Sequence, residues 1–117
     1  MARHTRKGDD MVFNTGATLL DAIVLAVVSQ VQDGTYGYRI TRDVRSVINI
    51  SESTLYPVLR RLQKDEYLEV YDMQIDGRNR RYYKVTDKGL ERLNLYKAEW
   101  KKYSTKIQGI FDGGAKQ

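Results

Sequence analysis

The sequence SESTLYPVLRRLQK, from Ser51 to Lys64, divides into two faces when it is placed on a helix. One face has the i, i+3, i+4, i+7 spacing of a buried stripe and holds Leu55, Val58, Leu59 and Leu62. The opposite face combines hydroxyl, tyrosine and basic side chains that can reach phosphates and base edges in the DNA major groove: Ser53, Thr54, Tyr56, Arg60, Arg61 and Lys64. Taken alone, the segment fits an amphipathic core helix with a basic exterior equally well.

An almost wholly apolar segment runs from Gly16 to Gln32 and is interrupted by Asp21. A helix that is apolar on every side is buried by several neighbours. β-branched residues are frequent here, but the length favours a helix, since strands usually run about 4–8 residues. We therefore expect a central helix, and its first turns, Thr15 to Leu20, are a candidate contact with a second subunit.

A second amphipathic helix is predicted after the break at Asp33-Gly34, with Thr35 as its N-cap. Its apolar positions are Tyr36, Ile40, Val44, Val47 and Ile48. The three-residue turn Asn49-Ile50-Ser51 then leads into the segment quoted first. Two helices joined by so short a turn predict a helix-turn-helix. The second of them should begin near Ser51 or Glu52, which places Pro57 inside it at the expense of one backbone hydrogen bond.

Beyond Lys64 the apolar period changes from helical to alternating, which predicts two strands, Tyr67 to Met73 and Arg81 to Thr86. The dipeptide Asp76-Gly77 between them is typical of a tight hairpin turn. The hairpin carries four closely spaced positive charges, at Arg78, Arg80, Arg81 and Lys84. Because like charges repel one another unless an anion lies in front of them, we favour phosphate binding over a merely solvated hairpin. A helix-turn-helix followed by a basic hairpin is the winged-helix arrangement.

The last predicted helix is capped by Thr86 and runs from Asp87 to about Phe111. Its apolar positions recur in steps of three and four, as in a coiled coil: Leu90, Leu93, Tyr96, Trp100, Tyr103, Ile107, Ile110 and Phe111. At 1.5 Å per residue it is about 37 Å long, which exceeds what a winged-helix core can cover. A second copy of the chain is the simplest partner for the overhang.

The predicted fold class is therefore mainly α with a small β-hairpin: a winged helix-turn-helix plus a long C-terminal dimerisation helix. Residues 1–13 are predicted as a flexible basic arm, 14–86 as the winged-helix domain, 87–112 as the dimerisation helix and 113–117 as a disordered tail. The arm contains Arg3, His4, Arg6 and Lys7. It could touch DNA phosphates, and plain disorder is the alternative. His4, the only histidine, lacks the partners that a metal or catalytic site needs.

The composition narrows the classes of function. A net charge of +5 and a pI of about 9.5 favour an anionic partner without choosing between nucleic acid and a membrane surface. The chain has no cysteine and no apolar run of about 18 residues, which argues against disulfides and bilayer spans and fits a cytoplasmic protein. We find no glycine-rich phosphate loop, metal-ligand cluster or nucleophile–base pair. Asp9-Asp10 and Asp65-Glu66 are better explained as solvated carboxylates, so we predict neither an enzyme nor a cofactor.

Three motifs in order resemble the PadR family of bacterial transcriptional regulators, in its short form with one C-terminal helix. They are Tyr36-Gly37-Tyr38-Arg39-Ile40, the segment from Ser53 to Leu62, and Gly77 to Thr86 before Gly89. The resemblance implies a homodimeric winged-helix repressor, and a planar aromatic effector bound between subunits near a central tryptophan in some members. The chain departs from the pattern at Glu66, where the family has a helix-capping glycine, and at Asn79, where it often has a basic residue.

These observations lead to one main hypothesis and two open alternatives. The main hypothesis is a dimeric repressor of double-stranded operator DNA, read by the helix face and hairpin residues named above, with Lys64 nearer the backbone. Tyr96, Trp100 and Tyr103 would hold a planar aromatic effector; the alternative is that they only pack the dimer seam. A winged-helix module that binds an acidic protein shares every local feature with the main hypothesis.

Overall fold

A computed structural model describes residues 16–114 of the chain. In this range the elements are α1 Gly16–Ser29, β1 Thr35–Tyr36, α2 Gly37–Arg45, α3 Glu52–Lys64, β2 Leu68–Ile75, β3 Arg78–Val85 and α4 Asp87–Phe111. The mainly helical winged helix-turn-helix with a long last helix is thereby confirmed. The predictions for the arm at residues 1–13 and for tail residues 115–117 lie outside the described residues.

Helix α1 is the centre of the core. Val24, Leu25 and Val28 are fully buried in it, and it packs against α2, α3, α4 and β3, as predicted for a helix that is apolar on most sides. It ends at Ser29, three residues earlier than predicted. The reason is a change of hydrogen-bonding pattern, because the next two N–H groups donate to carbonyls only three residues back.

The predicted N-cap at Thr35 is wrong, because Thr35 and Tyr36 form a short strand. This strand pairs antiparallel with β3, with Thr35 opposite Tyr83 and Tyr36 opposite Tyr82, and gives the sheet order β1-β3-β2. Thr35 is buried against the core, and Tyr36 occupies the N-cap position of α2 without a side-chain cap. A third strand therefore ties the start of α2 directly to the hairpin.

The connection between α2 and α3 is longer than the predicted three residues. Helix α2 ends at Arg45, and Ser46 turns the chain by donating its Oγ to the carbonyl of Asp43 over 2.6 Å. Val47 consequently lies outside the helix and is exposed, whereas Ile48 packs against the core. The prediction that both belong to this helix is therefore wrong, although Ile48 still contributes to the core.

Helix α3 begins as predicted, with Ser51 as its N-cap and Pro57 inside it. Its four predicted apolar residues are all buried. At the other end Glu66 adopts a left-handed conformation with φ of 67°, the conformation for which glycine is normally used. The N–H of Glu66 bonds to the carbonyl of Gln63 and that of Tyr67 to Leu62, which closes the helix end without glycine.

The hairpin and α4 follow directly from that helix end. Asp76 and Gly77 both have positive φ, the conformation of the type I′ turn that matches the twist of paired strands. Thr86 accepts from the N–H of Gly89 at 2.9 Å and donates to the carbonyl of Glu66 at 2.7 Å, so one hydroxyl caps α4 and fixes it to the end of α3.

Helix α4 extends well beyond the core. Leu93 and Tyr96 are buried, whereas Ile110 and Phe111 near its end are exposed. The radius of gyration is 16.5 Å, compared with about 13 Å expected for a compact domain of similar size. The structure thus leaves an apolar helix end without a covering element among residues 16–114.

Candidate nucleic-acid interface

The N-terminal half of α3 presents hydroxyls that also form its cap. The N–H of Thr54 donates to the Oγ of Ser51 over 3.2 Å, and the Ser51 hydroxyl lies 2.9 Å from that of Ser53. Ser53 and Thr54 are exposed all the same. Each hydroxyl retains capacity for a further hydrogen bond, because a hydroxyl has one donor and two acceptor sites.

The hairpin holds one arginine by ring stacking rather than by an acid. Tyr36, Tyr82 and Tyr71 lie in one row across the three strands, with ring centroids 5.6 and 5.7 Å apart. The guanidinium of Arg80 lies over the Tyr36 ring, 4.6 Å from its centroid. A cation on an aromatic face keeps its N–H groups directed outward for an anion.

A groove of about 500 Å³ opens between the hairpin, the start of α2 and α3, and we call it the basic groove. It is lined by Tyr36, Gly37, Tyr38, Tyr56, Arg78, Arg80, Arg81 and Tyr83. None of these eight residues is acidic. The hairpin arginines and the recognition face of α3 therefore border one space, which suits an anionic ligand.

The pKa of Tyr83 shows how closely the two elements approach. Burial raises the pKa of the Tyr83 phenol, and Tyr56 raises it further, while the cations Arg81 and Arg60 lower it. Tyr56 and Arg60 of α3 therefore act electrostatically on the hairpin. Since Tyr83 stays neutral at ordinary pH, the positive charge of the groove comes from its arginines.

A second groove lies at a distance from the basic groove, between α1 and α4. This apolar groove has a volume of about 440 Å³ and is lined by Leu19, Ala22, Ile23, Ala26, Val47, Ile48, Leu93, Tyr96, Lys97 and Trp100. Trp100 is 46% exposed and lies 6.0 Å, centroid to centroid, from the ring of Tyr103. Of the three predicted effector residues, Tyr96, which is buried, and Trp100 line the groove, whereas Tyr103 lies beside Trp100 without lining it.

A family model described as "Transcriptional regulator PadR-like family" matches residues 24–95, which is more than half of the chain. This chain belongs to the PadR-like family. The resemblance inferred from the three motifs is confirmed.

Three solved structures illustrate the likeness. A Streptococcus mutans protein superposes with a TM-score of 0.79 at 38% identity over 87% of this chain and 94% of that one. A PadR-like transcriptional regulator from Bacillus cereus gives 0.73 at 33% identity, covering 81% and 93%. Bacillus subtilis PadR in complex with operator DNA gives 0.56 at 21% identity, covering 65% of this chain and 45% of that one, which is a likeness of fold.

Apart from Ser53 and Thr54, described above, the predicted DNA-binding residues of this PadR-like chain fall in four places. Tyr56, Arg78, Arg80 and Arg81 line the basic groove, and Arg81 also lies 3.6 Å from Asp72 on the neighbouring strand. Arg60 and Lys64 are exposed on α3, and Lys84 is half-buried opposite Glu69 in the strand pairing. Arg61 is directed elsewhere, into an ion pair with Asp21 of α1.

Sequence reasoning overlooked the part of this PadR-like surface that α2 supplies. Tyr38, 68% exposed, lines the basic groove and also a neighbouring cavity of about 350 Å³ with Arg42 and Arg45. The signal was present in the sequence, because positions 38, 42 and 45 share the helix face opposite Ile40 and Val44.

Residues 16–114 contain no group of three or more histidine, cysteine, aspartate or glutamate side chains placed to hold a metal ion. In the same range, no helix is both long enough and apolar enough to cross a membrane.

Proposed function

We propose that this PadR-like chain is a sequence-specific DNA-binding repressor that acts in the cytoplasm as a homodimer. The observation that carries the proposal is the basic groove, where Arg78, Arg80 and Arg81 border the same space as Tyr56 of α3. In this reading α3 lies in the major groove and the hairpin contacts the flanking phosphates. Bacillus subtilis PadR, which shares the fold, was solved with operator DNA.

The roles of the side chains follow from their positions. Ser53, Thr54 and Tyr56 contact base edges, together with Arg60 where it reaches them. Lys64 and the hairpin cations Arg78, Arg80, Arg81 and Lys84 contact phosphates, and Tyr38, Arg42 and Arg45 extend that contact along α2. Two copies related by a twofold axis would read half-sites about 10 base pairs apart, or a multiple of that spacing.

A mobility shift with the DNA upstream of the chain's own coding sequence tests the proposal directly. If each subunit neutralises three to five phosphates, the logarithm of the affinity should fall with the logarithm of salt concentration with a slope of roughly −5 to −9 for the dimer. A slope near −1 would contradict phosphate-driven binding. Failure to shift any duplex, together with capture of an acidic protein, would favour the alternative of a protein-binding module.

The apolar groove supports a second element of the proposal, a planar aromatic effector. Trp100 and Tyr96 border a space of about 440 Å³ whose other lining residues are mostly aliphatic. An aromatic ligand stacked there would shift the spacing of the two recognition helices. Because Trp100 is the only tryptophan, its emission reports binding. Unchanged emission across a panel of planar cations and phenolic acids would favour aromatics that only pack the dimer.

A further inference from the structure

Arg61 is the one predicted DNA-binding residue whose side chain pairs with another helix. Its Nη2 donates to Oδ1 of Asp21 and its Nε to Oδ2 over 3.4 Å, so both oxygens of the carboxylate are engaged. Asp21 is the only charged residue in α1, and its side chain is 17% exposed. A two-pronged pair of this kind fixes orientation more tightly than a single contact.

The pair lies on the side of α3 that faces away from the basic groove. At 100° per residue, Arg61 is about 140° from Tyr56 around the helix axis. Tyr56 lines the basic groove, whereas Arg61 reaches α1. Arg60, its neighbour in sequence, is exposed and acts on Tyr83 of the hairpin. Two adjacent arginines therefore serve different sides of the same helix.

A third helix, α4, also approaches the Asp21–Arg61 pair. Arg92 lies over the rings of Tyr67 and Tyr96, 5.4 Å from each centroid, and its charge also acts on Asp21. Tyr96, whose ring lies under Arg92, also lines the apolar groove. The cluster thus joins α1, α3 and α4 at one point.

We propose that Arg61 is a positioning residue: its bond to Asp21 sets the orientation of the recognition helix relative to α1 and α4, and it does not contact phosphate. The proposal rests on DNA binding as the function of this chain.

The salt dependence of DNA binding distinguishes an Arg61 that positions α3 from one that binds phosphate. The probes are the duplex that the wild-type chain selects from a random pool and a scrambled duplex of the same composition, and each variant is first checked for its helical circular dichroism at the temperature of the measurement. Arg61→Gln should lower the affinity ratio of selected to scrambled duplex about three- to tenfold and leave the salt slope unchanged. The matched control is Lys64→Gln, which removes an exposed cation of the same helix that is assigned to phosphate, and it should move the salt slope toward zero by about 0.9 for each subunit. A slope change for Arg61→Gln equal to that of Lys64→Gln would overturn the proposal.

Asp21→Asn should change DNA binding in opposite directions depending on whether Arg61 positions α3 or binds phosphate. If Arg61 positions α3, loss of its anchor lowers the affinity ratio, as Arg61→Gln does, and the double variant is no worse than either single one. If Asp21 instead restrains a phosphate-binding arginine, Asp21→Asn tightens binding and steepens the salt slope, which would refute the proposal.

Thermal unfolding tests the pair without DNA, so that it remains testable if the chain binds no duplex and the proposed function fails. Arg61→Gln leaves the Asp21 carboxylate without its main partner and should lower the midpoint by roughly 2–5 °C at pH 7. Adding Asp21→Asn should restore most of that loss. A double variant as unstable as Arg61→Gln alone would show that the two side chains are not coupled.

Discussion

The basic groove and the apolar groove share no lining residue, yet one chain of 117 residues builds both. The basic groove collects arginines and tyrosines from α2, α3 and the hairpin, and the apolar groove collects aliphatic and aromatic side chains from α1 and α4. Cations that repel one another need an anion, whereas apolar surface needs another apolar surface. In the function that we propose, the two grooves take different partners: DNA for the first, and a second copy or an aromatic ligand for the second.

The two grooves nevertheless depend on a few common joints. Gly89 lets α4 approach the hairpin, Glu66 turns the end of α3 into β2, and the Asp21–Arg61 pair ties α3 to α1. Each joint is a single contact that a point substitution can alter.

The largest effect is expected from a charge on the exposed apolar end of α4. Ile110 is 74% exposed, so Ile110→Asp should leave the subunit folded. In the proposed dimer two isoleucines are lost, each worth about 1.5–3 kcal/mol when buried, so the dissociation constant should rise a hundredfold or more. Sedimentation equilibrium measures the change. Thr105→Asp, on the opposite face of α4, is the control and should leave the dimer intact; equal behaviour of the two variants would remove this face as the interface.

Gly89→Ala should break the joint between α4 and the hairpin. A Cβ at position 89 would lie 2.2 Å from the carbonyl oxygen of Tyr67 and 2.8 Å from Cγ1 of Val85. Because a backbone atom cannot move aside cheaply, we expect a loss of about 2–3 kcal/mol in the free energy of unfolding, measured with urea. Gly109→Ala in the same helix meets nothing within 4 Å and should be neutral or stabilising. Similar losses at both positions would mean that crowding is not the cause.

Substitution of Tyr36, whose ring lies under Arg80, tests whether the basic groove binds DNA. Tyr36→Leu removes the aromatic face that holds the guanidinium, a contact worth about 0.5–1 kcal/mol. Two such losses in a dimer should weaken DNA binding about five- to thirtyfold, with a salt slope closer to zero, measured by fluorescence anisotropy. Tyr36→Phe keeps the ring and should bind as the wild type does. A loss as large in Tyr36→Phe would point to the hydroxyl instead of the ring.

Glu66→Gly should stabilise the joint between α3 and β2. A non-glycine residue at φ of 67° costs about 1 kcal/mol, and the ion pair that would be lost, at 3.6 Å from Lys88, is exposed and worth little. We expect a gain of about 0.5–1 kcal/mol in urea unfolding. Asp65→Gly, one residue earlier at φ of −81°, should destabilise. A gain at both positions would contradict the conformational explanation.

Most of the fold could be predicted because its signals are local. The apolar spacing of α3, the Asp76-Gly77 turn and the cap at Thr86 are each contained within a few residues, and the structure confirms all three. Strand β1 could not be found in this way. Thr35 and Tyr36 are too few to show an alternating pattern, and they become a strand only because β3 pairs with them across more than 40 residues of sequence.

The candidate site likewise contains some residues that local signals predict and others that depend on contacts between distant parts of the sequence. The hairpin arginines and the outer face of α3 were visible as local charge and periodicity, and so in principle was the α2 face of Tyr38 and Arg42. The environment of Arg61 was not, since Asp21 is 40 residues away and only the packing of α1 against α3 brings the two together. On a helical wheel Arg61 looks as available to DNA as Arg60.

The smallest expected effect is the pH dependence of stability that comes from Asp21, in the contact between α1 and α3. Burial raises the pKa of the Asp21 carboxyl above its usual 3.8, and the hydrogen bond and charge of Arg61 offset only part of the increase. The folded chain therefore holds this proton more tightly than the unfolded chain, so the contribution of Asp21 to stability is greatest below pH 3.8 and is lost as the pH rises through the folded pKa.

Asp21→Asn does not titrate, and its stability relative to the wild type should increase from pH 3.5 to 7 in urea unfolding. The opposite trend would mean that Arg61 outweighs burial. The expected trend would mean that ionised Asp21 costs stability at neutral pH even beside Arg61, which agrees with a positioning role for the pair better than with a stabilising one.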